Sequence, residues 1–188
     1  MSIQPGTYRL GPDHGTLWLR TERYGAAAKA GHNLLIHVTS WEATFTVGDD
    51  PAESSIELDA DATSLRVREG TGGMQALGDD DRASIEQTID DEILKRRDIA
   101  FRSTRVEPAP DGSGFSVVGD LTLLGTTRPL AVGLAVGPDG AIGAAAIVRQ
   151  TDWGITPYSI LYGTLKVVDE VRVGLDARLP AFESPQSL

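Results

Sequence analysis

The sequence predicts an all-β protein, built from many antiparallel strands with a single amphipathic helix inserted midway. The first observation is strict alternation of apolar and polar residues, as in 56–61 and 171–179, which is the pattern of half-buried strands. The second is one segment of helical period, in which Ile85, Ile89 and Ile93 recur every four residues. Because exposed strand edges invite aggregation, we expect the strands to form a sandwich or a closed barrel.

From the amino terminus onward, strand-like segments alternate with residues typical of turns. Residues 32–47 predict a long strand with a kink near Ser40. A flexible loop at 68–80 leads into the helix, which we expect to run from about Asp81 to Arg97, with acidic residues at its start and basic residues at its end. Further strands are predicted at 99–107, 118–124, 130–136 and 171–179, and turns at 48–51, 108–114 and 138–140.

Composition narrows the class of protein. The chain has 188 residues, of which 40% are hydrophobic and 23% charged, values that are ordinary for one globular domain. Its net charge of -10 argues against nucleic acid or an anionic membrane surface as the main partner. The absence of cysteine excludes disulfides, thiolate catalysis and cysteine-ligated metals. We expect a cytoplasmic protein without a membrane span, because the first residues lack the features of a signal peptide and no stretch reaches about 18 apolar residues.

Residues 118–136 raise a question, because neither face of their predicted strands is polar. Leu121 and Leu123 project to one side, whereas Val118 and Leu124 project to the other. Either one face packs while small residues on the other keep an internal space open, or alanine and glycine simply fill a packed sandwich core. The small residues in question are Ala131, Gly133, Ala135, Gly143, Ala144, Ala145 and Ala146.

Several short motifs follow one another in a specific order. They are YRLGPDHGTLWL (8–19), GDLTLLGTTRP (119–129), VRQTDWGI (148–155) and VVDEV (167–171). In order and spacing they resemble the YceI-like family of lipocalin-like, polyisoprenoid-binding proteins, and the resemblance spans roughly residues 6–180. The chain departs from the usual family pattern at Gly11, Gly15, Leu124, Gln150 and Val168.

This resemblance implies an elongated, antiparallel lipocalin-like barrel of about eight strands, closed at one end by the helix. Residues 5–180 would form this single domain, and residues 181–188 a disordered tail. An apolar tunnel would hold a long isoprenoid or fatty-acyl chain, each methylene contributing about 0.8 kcal/mol of transfer free energy. The implied function is non-catalytic carrying or sequestration of a polyisoprenoid, an isoprenoid quinone or a fatty-acid derivative. No cofactor is required, and a homodimer would suit the family.

Large apolar side chains in the strands and beside one predicted opening are the candidates for the tunnel wall. Trp153 is the first choice, because Gly154 and Pro157 indicate a bent segment near an opening. For Phe45 and Phe101, filling of the core explains the pattern equally well. The candidates are Trp18, Leu34, Ile36, Phe45, Phe101, Leu121, Leu123, Trp153, Ile155, Tyr158 and Leu161.

Two other classes of function stay open. An enzyme that modifies an isoprenoid lipid could use His14 or His32 as a proton shuttle. A ligand-free structural or stress-related interaction module would instead have a filled interior. No metal site is predicted, because His32 and His37 lie five residues apart on opposite faces of a strand and no HExxH motif occurs. We expect His14 and His32 to order a turn and a strand entry.

Overall fold

The computed structural model describes residues 3–180, and the tail predicted at 181–188 lies outside the described residues. The strands are β1 (Gly6–Leu10), β2 (Gly15–Thr21), β3 (Arg23–Tyr24), β4 (Asn33–Val38), β5 (Trp41–Val47), β6 (Ser55–Ala60), β7 (Leu65–Thr71), β8 (Ile99–Pro108), β9 (Phe115–Leu123), β10 (Thr126–Val136), β11 (Ala141–Arg149), β12 (Ser159–Ile160), β13 (Leu165–Val167) and β14 (Glu170–Arg178). Helix α1 (Asp79–Thr88) continues directly as a π-helical turn at Ile89–Ile93.

Eleven strands form one antiparallel sheet in the order β1-β5-β6-β8-β9-β10-β11-β14-β2-β4-β7. β1 and β2 are two halves of one path, because β1 pairs with β5 and β2 pairs with β4. In the same way β6 and β7 continue one another alongside β5 and β4. β4 and β5 likewise follow one another along a single path. When each of these three pairs is counted as one, the eleven strands form eight paths around the barrel, and the pairing of β14 with β2 closes it. The predicted all-β, lipocalin-like barrel with one inserted helix is confirmed.

The path made of β4 and β5 bends at Thr39 and Ser40, close to the predicted kink. The Thr39 backbone N–H donates to the Ser64 carbonyl over 2.9 Å, and the Asp61 N–H donates to the Ser40 carbonyl over 3.0 Å. The Asp61 carboxylate accepts from the N–H and hydroxyl of Thr63, both over 2.8 Å, and these bonds lower the pKa of Asp61. The corner therefore keeps its backbone groups paired while the strand turns from one part of the barrel to the other.

The helix begins earlier than predicted, at Asp79 instead of Asp81. The Asp81 carboxylate accepts a hydrogen bond from the Gly78 backbone N–H over 3.2 Å, which places Asp81 in the first turn. Three consecutive aspartates thus lie at the positive end of the helix dipole, as the charge pattern indicated.

The helix also ends earlier than the predicted end at Arg97. Its π-helical turn stops at Ile93, and the chain then reverses toward β8. Lys95 and Arg96 have φ values of 52° and 56°, in the left-handed region that a right-handed helix cannot continue through. Periodicity alone carries no signal for such a reversal.

The small residues of β10 lie outside the barrel, whereas most of those of β11 border the cavity. On β10, Ala131, Gly133 and Ala135 are exposed, and the inward side chains are the larger ones, Leu130, Val132 and Leu134. On β11, Ala144, Ala145 and Ala146 border the cavity. The circumference of eight strand paths therefore leaves room inside the barrel, and the alanines of β11 add to it.

A second, three-stranded sheet extends one end of the barrel. In it β13 pairs with both β12 and β3, and β3 follows β2 closely along the chain. The turn between β12 and β13 therefore projects from the end of the barrel at which β2 finishes. Among residues 3–180, no helix is long and apolar enough to span a bilayer.

Candidate functional site

The barrel surrounds a cavity of about 890 Å³, a size typical of small-molecule sites. Its wall is formed by the inward side of successive strands, because alternation turns every second side chain to the interior. Helix α1 and its π-helical turn add Ile85, Ile89 and Ile93 to the wall. The aliphatic strand residues that line the cavity include Leu17, Leu19, Leu34, Ile36, Val38, Ile56, Leu58, Leu130, Val132, Leu134, Val148, Val171, Val173 and Leu175.

The cavity reaches the surface at one end, where residues that line it are exposed. Met74 is 77% exposed and Tyr158 is 39% exposed, although both border the cavity. We call segments 30–32, 74–77 and 158–160 the mouth. It lies beside the three-stranded sheet and the first turns of α1.

Most of the predicted wall residues border the cavity. They are Trp18, Leu34, Ile36, Phe45, Phe101, Leu121, Leu123, Ile155 and Tyr158. They range from Ile36, which is 1% exposed, to Tyr158 at the mouth. That any of these side chains contacts a ligand stays a prediction.

Trp18 belongs to a strand of the cavity wall, but its ring lies on the outer face of the barrel. It alternates with Leu17 and Leu19, which face inward. The indole N–H donates to the Asp176 carboxylate over 2.7 Å, and the Arg20 guanidinium lies 5.5 Å from the ring centre. Trp18 therefore borders the cavity through its strand while its ring packs on the outer face, and its role in lining a tunnel stays a prediction.

Trp153 and Leu161 are not among the described residues that border the cavity. Trp153 is 4% exposed, and its indole N–H donates to the Leu121 carbonyl over 2.9 Å. It fastens the 3-10 turn Gln150–Trp153 to β9, so it fills the core. Leu161 is 51% exposed at the turn between β12 and β13. Both side chains lie in turns, where there is no strand alternation to indicate whether a side chain faces the cavity.

Sequence reasoning missed the part of the wall that comes from the helix and the loop before it. Ile85 and Ile93 were recognised only as an amphipathic face, yet they line the cavity together with Met74 and Leu77. The four-residue spacing of the isoleucines was the available signal, since a helix that closes a barrel turns its apolar face toward the interior.

Among the described residues, one polar side chain that borders the cavity is buried. Gln150 is 8% exposed and borders the cavity. Its side-chain amide donates to the Val168 carbonyl over 3.1 Å, and its backbone N–H donates to the Asp169 carbonyl over 3.0 Å. Gln150 thus joins the end of β11 to the start of β14, and it adds no charge to the cavity.

Charged residues border the cavity only in the vicinity of its mouth, as far as residues 3–180 are concerned. They are Arg23, Asp81 and Lys166. The Arg23 guanidinium donates to the carbonyls of Ala28 and Gly72, and to the Asn33 side chain over 3.0 Å. Arg23 therefore holds the loops around the mouth together. Away from the mouth, the described residues of the cavity wall are uncharged.

His14 and His32 each have a backbone partner. His14 Nδ1 accepts from the Gly11 N–H over 3.2 Å and so orders the first turn. His32 borders the cavity at the mouth, with its Nε2 2.7 Å from the Gln75 carbonyl oxygen. Within residues 3–180, no three histidine, aspartate or glutamate side chains are close enough to hold a metal ion.

His37 lies away from the cavity, on the outer face of β4 opposite Trp18. Partial burial lowers the pKa of His37, the charge of Arg68 lowers it further, and Glu69 opposes both. The imidazole is therefore neutral near pH 7 and takes no part in the interior.

Comparison with known proteins agrees with this geometry. The YceI-like domain family matches residues 8–179. A Campylobacter jejuni YceI protein that crystallizes with large solvent channels is 17% identical, with a TM-score of 0.51, and the match covers 79% of this chain and 85% of that chain. A mutant CJ YceI protein for nanotechnology applications is 16% identical, with a TM-score of 0.52 and the same coverage. None of the curated proteins matches the chain.

The solved structures share the fold at low identity, and the family match covers most of the described residues. The chain belongs to the YceI-like domain family.

Proposed function

We propose that the protein binds a long apolar lipid in its cavity and carries or sequesters it without chemical change. The observation that carries this proposal is an aliphatic wall around about 890 Å³, in which the charged residues of the described chain lie only near the mouth. Each methylene buried there would contribute about 0.8 kcal/mol, so a long tail can bind with little polar recognition. A polyisoprenoid, an isoprenoid quinone or a fatty-acid derivative meets this requirement.

The apolar tail would lie in the barrel and the polar end at the mouth. Burial of a charged headgroup beside the uncharged interior wall would be costly. At the mouth, solvent, Lys166 and the backbone of segment 74–77 can satisfy polar groups. We propose that no other cofactor takes part.

Two observations favour binding over the alternative functions. His14 does not border the cavity, and His32 Nε2 already contacts the Gln75 carbonyl, so neither imidazole is placed as a free proton shuttle. A cavity of about 890 Å³ is also more than a packed, ligand-free interaction module would keep.

The test is native mass spectrometry of the purified protein, with solvent extraction to identify what it carries. We expect a bound lipid in the wild-type protein. Val132→Trp would fill the cavity from β10, and we expect it to lose most of the lipid and most binding of a fluorescent fatty acid.

The matched control is Ile147→Trp on the neighbouring strand β11. Ile147 is 49% exposed on the outer face, so its substitution should leave binding unchanged. Thermal melting must show that both variants fold. Wild-type protein that carries no lipid, or a folded Val132→Trp variant that binds as well as Ile147→Trp, would contradict the proposal.

A further inference from the structure

The turn between β12 and β13 exposes two large apolar side chains. Leu161 is 51% exposed and Tyr162 is 109% exposed. Their φ values of 54° and 55° lie in the left-handed region, where turns normally carry Gly, Asn or Asp. Leucine and tyrosine therefore occupy positions that backbone strain and exposure to water both disfavour.

This turn is held in place by its neighbours. The Thr164 hydroxyl donates to the Leu161 carbonyl over 2.7 Å, and its backbone N–H donates to the same oxygen over 3.2 Å. β13 also pairs with β3, so the turn is anchored to the end of the barrel. The two apolar side chains are thus presented on an anchored hairpin.

The exposed apolar surface of the protein is concentrated at this end. Seven large apolar side chains are exposed among the described residues, and Ile147 is the one that lies away from the mouth and its three-stranded sheet. We call the other six the apolar rim: Tyr24, Met74, Tyr158, Ile160, Leu161 and Tyr162.

The apolar rim is continuous with the cavity. Met74, Tyr158 and Ile160 belong to both, since they are exposed and also border the interior. An apolar path therefore runs from the outermost side chains of the turn into the barrel. A ligand moving along this path would remain in contact with apolar surface.

Two of the three lysines in the chain lie at this end, Lys29 and Lys166. The Lys166 ammonium lies 6.0 Å from the centre of the Tyr24 ring, and no ion pair among residues 3–180 includes either lysine. Tyrosines with lysines beside them are typical of groups that lie at a membrane–water interface. The net charge of -10 makes attraction to an anionic surface an unsuitable driving force, so insertion of apolar side chains must supply it.

We propose that the apolar rim docks on a phospholipid bilayer, with Leu161 and Tyr162 inserted and the cavity mouth turned toward the lipid. Docking would let the proposed lipid ligand pass between the bilayer and the cavity without crossing water. This proposal therefore rests on the proposed function. A bilayer fits better than a protein partner, because the rim leads directly into an apolar interior and has Lys166 beside its Tyr24.

The experiment is co-flotation of the full chain with vesicles of zwitterionic phosphatidylcholine. We expect the wild-type protein to float with the vesicles, also at high salt, because apolar insertion is not screened. The double variant Leu161→Ser/Tyr162→Ser should bind at least tenfold less. The control Ile147→Ser removes an exposed apolar side chain of similar size from the other surface and should bind like the wild-type protein.

Binding of a fluorescent fatty acid in the absence of vesicles separates the two proposals. The double variant should bind it normally, since neither Leu161 nor Tyr162 borders the cavity. Vesicle binding without fatty-acid binding would support docking and contradict the proposed function. A wild-type protein that does not float, a double variant that floats equally well, or a dimer that the double variant disrupts would overturn the docking proposal.

Discussion

Glycine leaves room for an aromatic ring on each face of the sheet. A Cβ atom at Gly119 would lie 2.4 Å from Cζ of Phe101 in the interior. A Cβ atom at Gly174 would lie 2.3 Å from Cζ2 of Trp18 on the outer face. Glycine weakens a strand by roughly 0.5–1 kcal/mol relative to alanine. At these two positions it also makes room for the aromatic ring that covers it.

We expect Gly119→Ala to lower the free energy of unfolding by about 1–3 kcal/mol, because the added methyl group displaces the buried Phe101 ring. The matched control is Gly133→Ala. Its added Cβ would meet nothing closer than the Ala145 carbonyl oxygen at 3.9 Å, so stability should stay equal or rise by up to about 1 kcal/mol. Urea denaturation measures both, and equal destabilisation by the two variants would contradict this account.

At this scale the sequence predicts strand residues better than turn residues. Ile36 borders the cavity together with Leu34 and Val38, as expected for residues two positions apart on one strand. Trp18 belongs to the cavity wall through its strand, but Leu17 and Leu19 beside it face inward and so indicate that its ring faces outward. That any of these side chains contacts a ligand stays a prediction. Trp153 lies in a 3-10 turn, and its burial depends on a hydrogen bond to β9 that local sequence does not encode.

Besides the packing of its isoleucines, helix α1 makes a side-chain hydrogen bond to the barrel. The Glu86 carboxylate accepts a hydrogen bond from the backbone N–H of Val67 over 2.8 Å. Val67 is 4% exposed, so its N–H depends on this partner. The second oxygen of Glu86 lies 3.9 Å from Nε of Arg66, a half-exposed ion pair that contributes little. The helix is therefore held against β7, where it covers part of the cavity.

We expect Glu86→Ala to lower the free energy of unfolding by about 1–3 kcal/mol, because a buried N–H loses its acceptor. Amide hydrogen exchange at Val67 should become faster, and release of a fluorescent fatty acid should accelerate. The control Glu86→Gln keeps a carbonyl oxygen at this position and should retain most of the stability. Unchanged exchange at Val67 in the alanine variant would show that the helix is held by other contacts.

The strands and the helix were predicted from periodicity, but their ends were not. The predicted end at Arg97 was wrong because Lys95 and Arg96 reverse the chain with positive φ, a choice that packing of the following strand imposes. The short strands β12 and β3 were not predicted at all. Two residues are too few for a period, and their pairing through β13 joins distant parts of the chain.

At the scale of the whole molecule, a ligand bound in the apolar cavity of about 890 Å³ would add to the stability of the folded protein. A ligand that binds only the folded protein stabilises it by mass action. We expect protein stripped of lipid to unfold at lower urea concentration than protein loaded with a fatty acid, by about 2.7 kcal/mol when the free fatty acid is at a hundredfold of its Kd. Urea titrations at several fatty-acid concentrations measure this shift.

The cavity-filled variant Val132→Trp is the control for that measurement. Its stability should not respond to fatty acid, since the added ring occupies the space beside β10. A wild-type protein whose stability is equally insensitive to fatty acid would show that the cavity takes no such ligand.

From the residues alone, alternation and turn chemistry predicted antiparallel strands with one helix, in a sandwich or a closed barrel, and the resemblance of the ordered motifs to a known family predicted the barrel. These are local properties, since alternation and turn chemistry are read within a few residues. The folded structure was needed to learn that the small residues of β10 face outward, that the helix contributes to the cavity wall and that the mouth opens beside β12 and β13. Each of these depends on the pairing of strands far apart in the chain, such as β14 with β2, and on how the closed barrel divides inside from outside.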